Sequence, residues 1–227
     1  MPDPNQTFYD CRRDNHTPVG TRNADLCSRW LRSQGIEYKN ILTNADGSLR
    51  LNLSGTRIAD LSPLAILPVT HLCLAGCWRI TDFTPLRRMR LAWLNLKRTG
   101  ITDLSPLRNL PLIHLSLYWT RVATLSPVAR LPLRRLDIRF TQVTSLSPCR
   151  RMPLEELSFF PGRIRRGLDT LRSIGTLATI NRRKAEEFWG RRGGQARCSA
   201  HAFNTQAFRG TGANPLASSR EDQAQSV

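Results

Sequence analysis

The chain has 227 residues, and 34 Lys and Arg against 17 Asp and Glu give a formal net charge of +17. Hydrophobic residues are 40% of the total, yet no run approaches the roughly 18 apolar residues of a membrane helix, which argues against a spanning segment. Lys39, Lys97 and Lys184 are the lysines. The arginine bias fits either a GC-rich genome or a use for guanidinium chemistry.

Residues 1–22 are polar and irregular, a composition that predicts a disordered N-terminus. The opening Met-Pro-Asp-Pro-Asn-Gln has no basic stretch followed by an apolar core, so no secretory signal is expected and a bacterial-type cytoplasmic location is. From Asn23, apolar Leu26, Trp30 and Leu31 predict a short helix ending before Gly35. Residues 36–42 read as a strand and Asp46-Gly47 as a turn. Residues 23–48 are therefore expected to form an N-terminal cap.

Residues 49–160 are one motif written repeatedly. Leucines lead at Leu51, Leu72, Leu94, Leu115 and Leu136, and a partial sixth copy opens at Leu157, giving steps of 21, 22, 21, 21 and 21. The long step has a visible cause in Trp78, an extra residue between Cys77 and Ile80. The pattern L-x-L-x-x-T-x-I-x-x-L-S-P-L at this period marks a leucine-rich-repeat solenoid. The expected class is α/β, with short parallel strands on a concave face and short helical or 3₁₀ turns on the convex face.

Each position predicts a role. The Leu-x-Leu pair alternates as a half-buried strand does. Thr56, Cys77, Thr99, Thr120 and Thr141 stand where such repeats usually carry asparagine bonded to neighbouring coils, and a hydroxyl or thiol can do this more weakly. Ile58, Ile80, Ile101, Val122 and Val143 are expected to be buried. The Ser-Pro or Thr-Pro pairs predict a helical turn capped by the hydroxyl, with proline in its first position.

Residues 161–190 are expected to close the array: 162–167 break the pattern, Leu168, Leu171 and Ile174 suggest a short helix, and 176–180 a final strand. A last turn over 184–189 should fold Phe188 and Trp189 over the open end. From Arg191 the chain is rich in Gly, Ser, Ala and Gln, which predicts a disordered tail.

Catalytic chemistry finds no foothold. His16, His71, His114 and His201 form no nucleophile–base pair, and His71 and His114 lie two coils apart, about 10 Å, too far to share a metal. The six cysteines show no paired C-x-x-C knuckles, so no metal or cofactor is expected. Asp60, Asp82 and Asp103 share one repeat position before the turn and read as structural.

Two surfaces remain as candidates. On the outward strand positions and just beyond them, Trp93, Lys97, His114, Tyr118, Trp119, Arg135, Arg139 and Phe140 gather in coils three to five. Trp, Tyr and Arg dominate interface hot spots, so this is the expected protein-binding patch. On the convex turns, Arg87, Arg88, Arg108, Arg130, Arg150 and Arg151 would align as an arginine column suited to a nucleic acid or an acidic protein, although no nucleic-acid-binding motif accompanies it. Residues 49–160 carry 16 basic and 6 acidic side chains, so the charge belongs mainly to the repeats.

The Asp103-Leu-Ser-Pro-Leu107 repeats, the segment Leu171-Arg-Ser-Ile174-Gly-Thr-Leu177-Ala-Thr-Ile180-Asn181, and Ala185-Glu-Glu-Phe188-Trp189 resemble the leucine-rich-repeat regions of Planctomycetes-type bacterial proteins. Those regions are often attached to a serine/threonine kinase or another sensor domain, and the resemblance implies a protein-interaction module. No Gly-rich loop, H-R-D or D-F-G occurs here, so phosphotransfer is not implied. The expected function is a non-enzymatic scaffold; the alternatives are an anion-binding protein or a truncated relative of a larger sensor protein.

Overall fold

The computed structural model describes residues 21–190. The expectations of disorder for residues 1–20 and 191–227 lie outside these residues. An opening helix, α1 (Thr21–Ser33), leads into β1 (Asn40–Thr43) and β2 (Leu49–Asn52). Six further coils supply β3 (Val69–Cys73), β4 (Trp93–Asn95), β5 (His114–Ser116), β6 (Arg135–Asp137), β7 (Glu156–Ser158) and β8 (Thr179–Ile180). The described residues then end in β9 (Arg183–Lys184) and α2 (Ala185–Gly190).

The nine strands form one sheet in sequence order, parallel from β2 to β8 and antiparallel at both end pairs. Its register follows the repeat: Leu51, Leu72, Leu94, Leu115, Leu136 and Leu157 stand side by side, and Ile180 continues the row. These residues and the second apolar residue of each pair, Leu53, Leu74, Leu96, Leu117, Ile138 and Phe159, are buried, so every coil lends its apolar face to both neighbours. Ile80, Ile101, Val122 and Val143 are buried as expected, but Ile58 is only half-buried. It belongs to the first coil and has a full coil on one side alone.

The first cap differs from the sequence reading in two places. Leu26 is exposed while Leu31 seals the core. The strand begins at Asn40, because Ile36 completes the helix exit instead: Gly35 takes φ +67°, and the Ile36 N–H donates to the Leu31 carbonyl at 2.9 Å. At the far end β8 spans two residues only, since the Leu177 N–H turns back to the Ile174 carbonyl.

The convex turns are 3₁₀, at Ser62–Ile66, Thr84–Arg88, Ser105–Leu107, Ser126–Val128 and Ser147–Arg151. Their capping corrects the expectation that the Ser or Thr hydroxyl does it. Asp60, Asp82 and Asp103 accept the backbone N–H of Ser62, Thr84 and Ser105 at 2.8, 2.8 and 2.9 Å. In the next two coils Thr124 and Ser145 hydroxyls replace the carboxylate, with longer bonds of 3.2 and 3.3 Å. Those N–H bonds hold the three aspartates below the usual carboxylate range. Asp103→Ala should therefore cost about 1 kcal/mol, read as a shift in urea midpoint, whereas Asp103→Thr should lose less because coil four already uses threonine.

The threonine column is also corrected. Thr56, Thr99, Thr120 and Thr141 donate within their own coils, to the carbonyls of Leu53, Leu96, Leu117 and Ile138 at 2.7–2.8 Å. Cys77 reaches across, its Sγ donating to the Leu53 carbonyl at 2.9 Å and meeting Thr56 Oγ1 of the preceding coil at 3.7 Å. A hydroxyl on a β-branched carbon sits close to the backbone and finds the nearer carbonyl. A side-chain amide does bond the neighbouring coil at Asn181, whose oxygen accepts the Phe159 N–H at 2.8 Å.

Candidate functional site

The concave face carries three side-chain rows, and only two of them are available to a partner. The middle row, Cys73, Asn95, Ser116, Asp137 and Ser158, is buried although it points outward. Its polar members serve the backbone: Asn95 accepts the Lys97 N–H at 3.0 Å and Asp137 the Arg139 N–H at 3.1 Å. The Leu-x-Leu alternation predicts direction correctly but not accessibility, because neighbouring side chains close over this row.

The first row joins three of the sequence candidates, Trp93, His114 and Arg135, with His71 beside them, in continuous register. His71 stacks near Trp93 with ring centroids 6.4 Å apart and 21° between planes. Arg135 approaches Glu156 at 3.7 Å, and burial pushes the Glu156 carboxyl up while Arg135 opposes that. Burial, with Arg135 and His71 close by, takes His114 down to about 4; burial and Arg50 lower His71 as well.

Both imidazoles are therefore neutral at pH 7 and favour the unprotonated state when folded. The unfolded chain binds protons first, so these two residues cost nothing above the ordinary histidine range. They destabilise the fold progressively as pH falls from about 6.5 toward 4. Chemical denaturation at pH 7 and pH 5 should show this loss, and His114→Gln should reduce it.

The remaining candidates, Lys97, Tyr118, Trp119, Arg139 and Phe140, meet about 13 Å away at the other end of the strands, four residues along at some 3.3 Å each. Tyr118 is the centre. Lys97 Nζ lies 4.8 Å and the Arg139 guanidinium 5.2 Å from its ring centroid, and Phe140 packs edge-on at 5.3 Å. Arg139 is held in place by Asp137, with Nε to Oδ1 at 3.0 Å and Nη2 to Oδ2 at 2.8 Å. Trp119 lies 5.4 Å from Phe140, and Phe160 extends the line at 6.5 Å. All three rings are exposed, by 46%, 43% and 39%.

The backbone beneath this ledge is unusual. Gly55 and Gly76 occupy the left-handed region at the turn that follows the strand, where glycine is at ease. In the next three coils the same position holds Arg98 at φ +54°, Trp119 at +57° and Phe140 at +56°. Bulky aromatic residues there carry about 1 kcal/mol or more of strain each. Arg98, whose guanidinium lies 5.7 Å from the Trp119 ring, and Phe160 belong to the ledge but were not selected from sequence. Aligning the residue after the outward one across coils is the signal that finds Arg98.

The convex candidates are all exposed, Arg87, Arg88, Arg150 and Arg151 on the 3₁₀ turns and Arg108 and Arg130 just after theirs, and none forms an ion pair with another described residue. Among the described residues no group of three or more His, Cys, Asp or Glu could hold a metal ion, and no helix is long and apolar enough to cross a membrane.

Parallel strands stacked in register, 3₁₀ turns behind them and a single leucine core make this chain a leucine-rich-repeat solenoid of the α/β class. Among solved structures, internalin C2 from Listeria monocytogenes is similar at 29% identity and a TM-score of 0.50, over 56% of this chain and 57% of its own. Internalin F from the same organism is similar at 22% identity and a TM-score of 0.46, over 61% of this chain and 50% of its own. The chain thus spans less than two thirds of either internalin. No protein-family model matches it, and no curated protein matches it.

Proposed function

We propose that this solenoid is a non-enzymatic, cytoplasmic interaction scaffold that binds a protein through its concave face at coils three to five. The observation that carries this is the Tyr118 ledge: exposed Trp119 and Phe140 are presented from left-handed backbone that glycine fills in the first coils. Strain kept at one end of a regular array supports a role that folding alone does not require. The repeats at 49–160, between caps at 23–48 and 161–190, form the rigid frame of this reading. A sensor or kinase domain, to which the Planctomycetes-type resemblance says such regions are often attached, is the kind of partner it would serve.

A second reading is favoured by the exposure of the convex arginines, none of which forms an ion pair with another described residue: that face would hold an anionic partner. Affinity capture from lysate of the producing organism, washed at low and at about 0.5 M salt with and without nuclease, separates the two. The scaffold reading expects a discrete protein that survives both treatments. Trp93→Ala/Tyr118→Ala should weaken it by about 2 kcal/mol or more, near thirtyfold. Arg87→Ala/Arg88→Ala/Arg150→Ala/Arg151→Ala should leave it unchanged. Capture that washes off in salt and depends on those arginines would reject the concave face.

A further inference from the structure

We infer that the edge where the strands turn outward, in coils one to four, binds single-stranded nucleic acid. The repeat places Arg57, Arg79 and Arg121 at one position, directly before Ile58, Ile80 and Val122. Arg98 and Trp119 stand on the adjoining left-handed turn. Every charged side chain from Ser54 to Ile58, and at the matching positions of the later coils, is cationic.

Trp78 singles this edge out. It is the insertion that lengthens coil two, it is 60% exposed, and the leucine core makes no use of it. The Arg79 guanidinium sits 5.1 Å from its ring centroid, as Arg98 sits 5.7 Å from Trp119 two coils on. Ring and guanidinium therefore recur together along one edge, at a coil spacing of about 4.8 Å.

This is the chemistry of a single strand. Unpaired bases stack on exposed rings and on guanidinium planes, while the cations follow the phosphates. A duplex hides its base faces and gains nothing from Trp78. An acidic polypeptide answers the charge but offers no planar groups to the rings. The concave reading is centred on Tyr118 and shares Arg98 and Trp119 with this one.

The test is fluorescence anisotropy of the full chain with a labelled oligo-dT of about 20 nucleotides, at about 50 and 200 mM salt. Binding at low salt that falls steeply at the higher salt is expected. Trp78→Ala, and separately Arg57→Ser/Arg79→Ser, should each weaken it about tenfold. The charge-matched convex pair Arg87→Ser/Arg88→Ser should stay within about threefold, as should Trp93→Ala. Unchanged melting temperatures confirm that the exposed substitutions leave the fold intact. The proposal is overturned by no binding at low salt, by a duplex of equal length binding as tightly, or by the convex pair losing as much as the edge pair. Polyglutamate competing as well as unlabelled oligo-dT at equal charge would also overturn it, in favour of an acidic polypeptide.

Discussion

Gly167→Ala is expected to lower stability by about 2–5 kcal/mol, out of proportion to one added methyl group. Two effects combine. Gly167 has φ +78°, a conformation that alanine enters only with strain. A Cβ there would also lie 2.7 Å from the Leu146 carbonyl carbon and against the backbone N of Ser147, neither of which can swing aside as a side-chain tip can. The contact exists because 162–167, which look like a break in the repeat, follow coil five closely: Ser145 and Arg166 form a bridge, and the Leu146 N–H donates to the Arg166 carbonyl at 2.9 Å. Gly175→Ala is the control, since nothing lies within 4 Å of its Cβ position, and should change stability by no more than about 0.5 kcal/mol. Urea unfolding monitored by circular dichroism reads both; equal midpoints would contradict the close approach.

Phe159→Ala should cost about 3–5 kcal/mol and act on one end of the molecule. The ring is 2% exposed, lies 6.0 Å from Phe188 at 65°, and is the largest side chain of the last coils to be sealed from solvent. Phe188 in turn meets Trp189 at 5.0 Å, and the Arg172 guanidinium covers Trp189 at 4.8 Å. Removing Phe159 takes away the surface on which that cluster rests. In an array held by neighbour contacts, such damage spreads from the end inward. Hydrogen exchange should show faster amides from Leu157 onward, while those of Leu72 and Leu94 keep their protection. Uniform acceleration along the whole chain would show instead that the coils unfold as one unit.

The leucine register was legible because a fixed period forces equivalent residues side by side, and one insertion, at Trp78, was visible as a long step. Backbone state was not. Glycines at 55 and 76 announce a left-handed turn, but Arg98, Trp119 and Phe140 at the same place do not, since their side chains argue against it. Only the alignment with those glycines shows it. Burial of Asn95 and Asp137 escaped the alternation rule, because it depends on the size of side chains one coil away. The shared repeat position marks the aspartates as structural but not as caps, because the hydroxyl beside the proline is the usual capping group; here the carboxylate two residues earlier accepts the N–H instead. Of the concave candidates, Lys97, Tyr118, Trp119, Arg139 and Phe140 form one contact group, while Trp93, His114 and Arg135 belong to a separate strip.

The reversed strands at the two ends have a consequence for how the molecules behave in concentrated solution. A parallel solenoid is in principle extendable: its last coil offers the surface that its first coil would fit, and head-to-tail joining yields open fibres rather than closed assemblies. Here β1 and β9 run against their neighbours, so the outermost hydrogen-bonding rows no longer have the polarity that another copy's parallel coil would match. The final strand is also only two residues long, Arg183 and Lys184, both exposed and both positively charged. Short, charged edges repel further pairing. The same reversal that completes the sheet therefore keeps the solenoid finite in length.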